Sequence, residues 1–418
     1  MQLPQEHKKQ IFKFGLYGLL KDLTFFEPYI IIYFLLSGLN LFYIGILISI
    51  REIIIYIFEI PSGVIADRYG KKTELVVCFL FYITSFLIFF IAAGFWMFAL
   101  AMSLFALGEA FRSGTHKSMI MAYIDKHKMV ESKTKIYGLT RSYSLIGSMI
   151  SSIVSIILVL WLPAIKYLFL VAIIPYIADL FLILSYPEYL NDRKDETFSF
   201  KSFIKYNIES IKYTFTKSKV RNAIFNSASY QAAFKSIKDY IQPIIITMSI
   251  TFILFSTLTI EENTKVYIGV IYAVIYLMSS ISSKNAYRFK KFGDSKTIVR
   301  FMWLLSGAAI FILSFFLDSL IIVFAIFALL FILTNIRRPM MVECMGDVTD
   351  PKMRASVLSV ESQMTSILIA IFAPLIGLLA EYSMSVLFIV FGSLMLVIFT
   401  ISQFATLLEN KKNEVNSF

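Results

Sequence analysis

The sequence predicts an all-α integral membrane protein with twelve transmembrane helices in two pseudo-symmetric six-helix bundles. Three observations lead to this fold class. Apolar residues make up 58% of the 418 residues, and phenylalanine alone occurs 41 times, a composition typical of polytopic membrane proteins. Lys and Arg are concentrated in alternate connections, and the two halves share charged, proline-containing segments. At roughly 20 residues per span, this length accommodates about twelve helices and no large soluble domain.

Six apolar segments predict the spans of the N-terminal half, residues 1–187. They run from Ile11 to Leu36, Tyr43 to Ala66, Thr73 to Ala93, Phe95 to Gly114, a fifth that ends near Leu160, and Ile165 to Tyr186. A polar, Lys-bearing segment, residues 116–135, precedes the fifth span. Pro187 marks the end of the sixth, because a proline disfavours helix at the residue before it.

A charged linker, residues 188–219, divides the chain nearly in half. Its composition predicts a cytoplasmic connection with an amphipathic helix along the membrane surface. The C-terminal half, residues 220–418, repeats the plan and ends in a short cytoplasmic tail. Its predicted spans run from Ala223 to Ile250, Val266 to Ser283, Ile298 to Leu317, Leu320 to Met340, Ala355 to Ala380 and Val386 to Leu407.

The distribution of positive charge predicts the orientation. The net charge of +11 could suggest nucleic acid as a partner, but the Lys and Arg residues follow the positive-inside rule instead. We therefore expect a multi-pass protein of the cell membrane, plasma or inner, with both termini in the cytoplasm. No short apolar core with a small-residue cleavage site follows the basic N-terminus, so we expect the first helix to be retained as a span.

An internal repeat supports the division into halves. Lys21-Asp22 and Glu27-Pro28, followed by isoleucines, correspond to Lys238-Asp239 and Gln242-Pro243. The first and seventh helices therefore share a Lys-Asp pair followed by a proline-bent apolar run. A weaker match joins residues 68–71 to residues 291–294 at the equivalent connection of each half.

The stretch EIPSGVIADRYGKK, residues 59–72, joins an apolar run to a short basic turn. Gly63 removes a side chain where another helix could approach closely, and Gly70 supplies a tight turn. Asp67 and Arg68 offer a charge pair at the membrane surface. This pattern resembles the loop between the second and third helices of the major facilitator superfamily, in particular its efflux-type members with twelve helices.

The resemblance covers essentially the whole chain by helix count, central link and repeat. It implies two bundles around a central cavity, which rock between inward-open and outward-open states. It also implies that the acidic and basic residues of the turn latch the two halves together in the outward-facing state. The residues that it assigns to this conformational latch are Gly63, Asp67, Arg68, Gly70 and Lys71.

Ionisable residues inside the spans are a second set of candidates. Such residues are costly in a membrane, so they usually face the bundle interior and pair or titrate there. Those that we place in a coupling site or substrate cavity are Asp22, Glu27, Glu109, Arg112, Arg141, Lys235, Lys238, Asp239 and Arg337. Each could instead form a structural ion pair, as could Lys21, Glu52, Glu59, Asp179, Arg338 and Glu361.

We expect the coupling site at Asp22 and Glu27 with Lys238 and Asp239. Asp22 lies about ten residues into its span, hence roughly 15 Å deep in a core about 30 Å thick. Desolvation favours the neutral form of such a carboxyl group, and a nearby cation favours the charged form. If the rocking of the bundles changes which of these two effects dominates, proton binding is coupled to transport. The alternative is that the Lys-Asp pairs only fix helix orientation.

The sequence gives little support for enzymatic activity, metal binding or disulfide bonds. There is no Gly-rich phosphate loop, so we expect neither ATP hydrolysis nor any other enzymatic activity. His7, His116 and His127 lack spaced acidic or Cys partners, so we expect no metal and no cofactor. Cys78 and Cys344 are too few and too isolated for a disulfide framework.

These observations predict secondary active transport of a small organic solute by a monomer, most simply export coupled to proton influx. The residues 59–63 and the Ser-Gly end of the fourth span resemble exporters, although the fifth span lacks the proline of their antiporter signature. Two alternatives remain open. Arg112, Arg141, Lys235 and Arg337 would suit uptake of an anionic nutrient, and a transport-inactive membrane sensor is the third possibility. The expected partners are the solute, protons and the lipid bilayer, without nucleic acid.

Overall fold

The structure, a computed structural model, is described for residues 5–112, 114–129, 133–191, 212–248, 255–350 and 353–415. These residues form α-helices joined by short turns and 3-10 helices, and no β-strand occurs among them. The helices of the N-terminal half are α1 (Gln5–Lys21), α2 (Ile30–Leu36), α3 (Leu41–Tyr69), α4 (Lys71–Ile91), α5 (Phe95–Arg112), α6 (Thr115–Lys126), α7 (Lys133–Trp161) and α8 (Tyr167–Leu184).

The described helices of the C-terminal half follow the same plan. They are α9 (Ser218–Ile237), α10 (Ile241–Met248), α11 (Ile260–Lys284), α12 (Ser295–Leu313), α13 (Leu320–Val348), α14 (Arg354–Tyr382) and α15 (Met384–Val415). Ten helical stretches in the described ranges are long and apolar enough to cross a membrane. The first and seventh spans, each in two pieces, complete the predicted set of twelve in two six-helix bundles.

The first span differs from its prediction because it is not one bent helix. α1 ends at Lys21, a 3-10 helix covers Glu27–Tyr29, and α2 begins only at Ile30. Pro28 has no N–H to donate to the carbonyl four residues earlier, so an α-helical hydrogen bond is missing at this point. The Thr24 hydroxyl instead donates to the Glu27 carboxylate, at 3.2 Å.

The seventh span is interrupted at the corresponding place. A 3-10 turn, Lys238–Tyr240, joins α9 to α10 directly. Pro243 removes the donor that would bond to the Asp239 carbonyl, for the same reason as in the first span. Both spans therefore break next to their Lys-Asp pair, so the repeated charges lie at backbone irregularities inside the bundle.

Two connections also differ from the sequence interpretation. The segment predicted to be polar, residues 116–135, contains the helix α6, whose residues Met119, Ile120, Tyr123 and Ile124 are buried. In the predicted linker, a short 3-10 helix covers Glu188–Leu190, and α9 begins at Ser218. An amphipathic helix was predicted within residues 188–219, of which residues 192–211 lie outside the described residues.

Helix connectivity gives the molecule two distinct ends. The "basic end" carries the turn at residues 69–71 and the connections that follow α5, α8, α11 and α13. The "short-loop end" carries residues 37–40, 92–94, 162–166, 314–319 and 383. Inside the N-terminal half, α1 packs against α7 and α8, and α4 packs against α5 and α8. Between the halves, α3 packs against α14 and α7 against α11.

Candidate functional site

The two halves are closed against each other near the short-loop end. The Leu41 amide donates to Glu381 at 2.9 Å, and the Ser49 hydroxyl donates to the Ala370 carbonyl at 2.7 Å. Nearby, Gly45 packs directly on the backbone of Ala373. A side chain at this glycine would not fit, so the close approach of α3 and α14 depends on it.

The contacts between the described parts of the two halves indicate a cavity that opens toward the basic end. The first and seventh spans meet through their second pieces, α2 and α10, and among the described helices no comparable contact joins α1 with α9. Lys235, near the end of α9 in the middle of its span, is exposed. An exposed ammonium at this depth indicates a water-accessible cavity, because lipid would not solvate it.

Glu27 and Lys238 form an ion pair between the halves. The Lys238 Nζ atom lies 3.6 Å from a Glu27 carboxylate oxygen and 2.7 Å from Asp239. The Tyr272 hydroxyl donates to the other oxygen of Asp239, at 3.0 Å. Lys238 and Asp239 are only 23% and 21% exposed, whereas Glu27 is 44% exposed. Glu27 is therefore the member of this cluster that water and solute reach most easily.

Gln242 connects the same cluster to α2. Its carbonyl oxygen accepts from the Ile31 amide at 3.0 Å, and its amide nitrogen donates to the Glu27 carbonyl at 3.3 Å. The amide also donates to the Tyr272 hydroxyl at 3.1 Å. Gln242 is fully buried, so each of these bonds would be costly to lose without a replacement.

Asp22 lies in a second cluster, inside the N-terminal half. Its carboxylate pairs with Lys21 and accepts from the Ser144 hydroxyl on α7. The Tyr176 hydroxyl on α8 donates to the Lys21 carbonyl at 2.9 Å, which holds the end of α1 against α8. The direct partners of Asp22 therefore belong to its own half, whereas Glu27 pairs across the halves. Arg141 lies about one turn before Ser144 and is partly buried.

Glu109 and Arg112 form an ion pair on α5, as their spacing predicts. The Arg112 Nη2 atom lies 2.7 Å from Glu109, and the Arg112 Nε atom donates to the Tyr82 hydroxyl at 3.0 Å. Tyr82 in turn donates to Glu109. The charge of Arg112 is thus balanced within its own half.

Lys235 faces the other side of the cavity. It lies within electrostatic range of Glu52 on α3 and Glu361 on α14. Glu52 is itself paired with Arg51, at 2.8 Å. Glu361 accepts from the Ser227 hydroxyl at 2.8 Å. This part of the cavity therefore presents charges of both signs.

Arg337 does not lie at the cavity surface. It is 1% exposed, its Nη2 atom donates to Asn226, and its guanidinium lies 4.0 Å from the Tyr230 ring centroid and 5.5 Å from that of Trp303. The face of an aromatic ring attracts a cation. Hydropathy gives the depth of a residue in a span, but it does not give the direction in which that residue points.

The predicted latch turn contacts the start of the central connection. Gly70 has φ +98°, and the Asn191 side chain packs against it. The Lys72 amide donates to Asn191 at 3.0 Å, and its ammonium lies 3.3 Å from Glu188. Arg68 is exposed. The side chain of Asp67 and the environment of Gly63 lie outside the described residues, and Lys71 is partly buried beside the turn.

Sequence reasoning missed the neutral members of these clusters. Gln242, Tyr272, Ser144 and Tyr176 carry no charge, so a search for ionisable residues inside the spans does not find them. The internal repeat gave one signal for Gln242, because Gln242-Pro243 corresponds to Glu27-Pro28. Among the described residues, no group of three His, Cys, Asp or Glu side chains could hold a metal ion.

The two bundles, the broken first and seventh spans, and a charged cavity open at one end define a class of protein: membrane carriers that alternate between two open states. The family model described as Major Facilitator Superfamily matches residues 22–284, which is more than half of the chain. The chain belongs to the Major Facilitator Superfamily.

Comparison with individual proteins agrees with this family. The uncharacterized MFS-type transporter YxaM of Bacillus subtilis (strain 168) is 28% identical over 222 residues, which make up 52% of this chain and 54% of that protein. The match therefore spans about half the length of this curated relative.

Solved structures share the fold over most of the chain. The nucleoside transporter NupG has a TM-score of 0.74 at 11% identity, covering 94% of this chain and 98% of its own. A peptide transporter, POT, in complex with sulfate has a TM-score of 0.72 at 12% identity, covering 94% of each chain. A bacterial homolog of the human lysosomal transporter Spinster has a TM-score of 0.66 at 14% identity, covering 91% and 84%. At such identities the likeness shows the fold alone.

Proposed function

We propose that the protein exports a small organic solute across the cell membrane in exchange for protons. The observation that carries this proposal is the ion pair between Glu27 and Lys238, which joins the two halves at the breaks of the first and seventh spans. A pair at this place can be formed only while the short-loop end is closed. Its charge state is therefore linked to the conformation of the carrier.

The pair acts as a lock on the empty carrier. While neither a proton nor the solute is bound at this pair, Glu27 and Lys238 hold the short-loop end closed, together with the bonds of Gln242 to α2. A proton on Glu27, or a polar or cationic group of the solute bound to Glu27, replaces the pair. Only a loaded carrier then exchanges between its two states, which is the condition for coupled antiport.

The same geometry argues against uptake of an anionic nutrient. Arg112 is paired with Glu109, and Arg337 is buried beneath aromatic rings. Two of the four cations that favoured an anionic solute are therefore already neutralised or inaccessible. Lys235 remains exposed, and the acidic Glu52 and Glu361 as well as the basic Arg51 and Arg338 lie within its electrostatic range. We infer a solute that is cationic, neutral or zwitterionic; structural neighbours named for nucleosides and peptides are consistent with that range.

The proposal includes an orientation and a division of the chain. The basic end faces the cytoplasm with both termini, because its connections carry most of the Lys and Arg residues. Residues 1–187 and 220–418 are the two rocking bodies, and residues 188–219 are the cytoplasmic linker between them. In this orientation the structure is open to the cytoplasm, and the carrier acts as a monomer in the plasma or inner membrane.

Transport in everted vesicles tests the proposed function. Ethidium, uridine and dialanine serve as cationic, neutral and zwitterionic probes, chosen after a thermal-shift screen, because a bound ligand stabilises the folded state by mass action. We expect acidification of the vesicle interior to drive accumulation of at least one probe, and probe addition to release protons. A sensor would move no probe. An importer would accumulate the probe only when the proton gradient is reversed.

A further inference from the structure

Asp179 is a buried carboxyl group that the proposed mechanism does not yet use. It lies on α8 and is 0% exposed, on the same inward face as Tyr176 and Ile183. Neither of its carboxylate oxygens has a hydrogen-bond partner in the part of the chain that the structure describes. The site lies inside the N-terminal half, away from lipid.

The other acidic residues of the charged clusters are all satisfied. Asp22 has Lys21 and Ser144, Glu109 has Arg112 and Tyr82, and Asp239 has Lys238 and Tyr272. Among the described residues, Asp179 is the one carboxyl group whose two oxygens are both buried without a partner. A structural aspartate would be expected to have donors, because an unpaired buried carboxylate is strongly destabilising.

The groups around Asp179 come from three neighbouring helices and from its own. Within electrostatic range are Tyr17, Lys21 and Asp22 from α1, Cys78 from α4, Arg112 from α5 and Tyr186 just after α8. The Tyr17 hydroxyl is also buried, and none of the described residues forms a hydrogen bond with it. Two polar groups from facing helices thus lie unpaired in the same interior region.

Lys21 is the cation that can change partner. It pairs with Asp22 in this structure, and its backbone carbonyl accepts from Tyr176, one turn before Asp179 on α8. Side chains on a helix lean toward its N-terminus. On α1 this direction leads from Lys21 toward Tyr17 and hence toward Asp179. The Lys21 side chain is 19% exposed, so it lies at the border between the cavity and this interior region.

We propose that Asp179 is a proton-binding site of the transport cycle, loaded in the conformation seen here and emptied when Lys21 leaves Asp22 for Asp179. In the unloading step the O–H bond of the Asp179 carboxyl breaks and the proton passes to cavity water. The Lys21 ammonium then neutralises the carboxylate that remains. In the reverse step water returns the proton and Lys21 pairs with Asp22 again. This inference rests on the proposed proton coupling and gives it a second site, separate from Glu27.

Infrared difference spectroscopy of the reconstituted protein tests the bound proton directly. A protonated carboxyl group has a C=O stretch that shifts in D₂O, distinct from the bands of a carboxylate. We expect such a band in the parent protein, its loss in Asp179→Asn, and its retention in Asp318→Asn, a control in the exposed connection between α12 and α13. In Lys21→Gln the band should persist when a transported probe is added, whereas in the parent it should fall. Absence of an Asp179-dependent band would overturn the inference.

Stability and transport separate a proton site from a structural role. Asp179→Leu should keep or raise the melting temperature, because no hydrogen bond is lost and an apolar side chain of similar size fills the site. Asp179→Asn should abolish uphill transport and keep downhill exchange. Uphill transport like that of the parent, or a large fall in melting temperature for Asp179→Leu, would contradict the inference. If the parent itself moves no protons although the band is present, the proposed antiport fails and the proton site stands.

Discussion

Replacement of Gly45 by alanine is expected to open the short-loop end. Gly45 on α3 packs against the backbone of α14, and a Cβ atom there would lie 2.8 Å from the Ala373 carbonyl carbon and 2.9 Å from the Pro374 Cα atom. Real Cβ contacts are essentially never so short. Because the obstructing atoms belong to the backbone, they cannot rotate away as a side chain would.

The clash in Gly45→Ala destabilises only the conformation that is closed at the short-loop end. Overpacking of a well-packed contact typically costs about 1–3 kcal/mol. The clash disappears when α3 and α14 separate at the short-loop end, so the outward-open state does not bear it. At about 1.4 kcal/mol per factor of ten, the ratio of outward-open to inward-open carriers should rise by roughly 5- to 150-fold.

Distance measurements between spin labels detect this shift. The labels are placed on Leu36→Cys and Thr257→Cys, which are exposed positions on opposite halves near the short-loop end. Cys78 and Cys344 are buried and are replaced by serine. In Gly45→Ala the population with the longer label separation should grow.

Gly392→Ala is the matched control. Its Cβ atom would lie 2.6 Å from the Phe311 nitrogen and 2.8 Å from the Phe311 Cα atom, a clash of similar severity. Both residues belong to the C-terminal half, so this variant should lower the melting temperature without changing the label distances. An unchanged distribution in Gly45→Ala, or an equal shift in Gly392→Ala, would refute the reasoning.

Three further predictions concern coupling, the latch and topology. Glu27→Gln and Asp22→Asn should each abolish uphill transport and keep downhill exchange in proteoliposomes; if both still respond to a pH gradient like the parent, coupling lies elsewhere. Asp67→Asn should slow transport and make cavity cysteines more accessible from the basic end, while membrane insertion stays normal. A surface ion pair of about 0–1 kcal/mol biases the conformations but does not hold the fold together, and unchanged accessibility would count against a latch. Lys219→Cys should react with an impermeant reagent in inside-out vesicles and not in intact cells, because the positive-inside rule places it in the cytoplasm.

The sequence was sufficient to predict the membrane spans but not the positions at which the first and seventh spans are interrupted. Runs of apolar residues predict membrane helices because the bilayer demands them over a fixed length. In the first and seventh spans only the second pieces, α2 and α10, are strongly apolar, whereas α1 and α9 are of mixed polarity, so hydropathy does not detect where α1 and α9 end. The Lys-Asp pairs and the prolines did identify the level at which both spans are irregular.

The residues of the candidate site could also be predicted only in part from the sequence. Glu27 and Lys238 were recognised because charge inside a span is rare, and the structure brings them together. Gln242 and Tyr272 were missed because neutral polar residues are common in membrane helices. Arg337 was grouped with the cavity although it points into aromatic rings, since its direction around the helix depends on packing that no single segment encodes.

The packing of α1 has a consequence for how the protein is made. α1 is synthesised before its partners in the N-terminal half, α7 and α8, which end at Trp161 and Leu184. At roughly 5–20 residues per second, the ribosome needs on the order of 10 s to reach them. Until then Asp22 lacks Ser144 and the Lys21 carbonyl lacks Tyr176. The span that begins with α1 is therefore one of the last in its half to complete its packing.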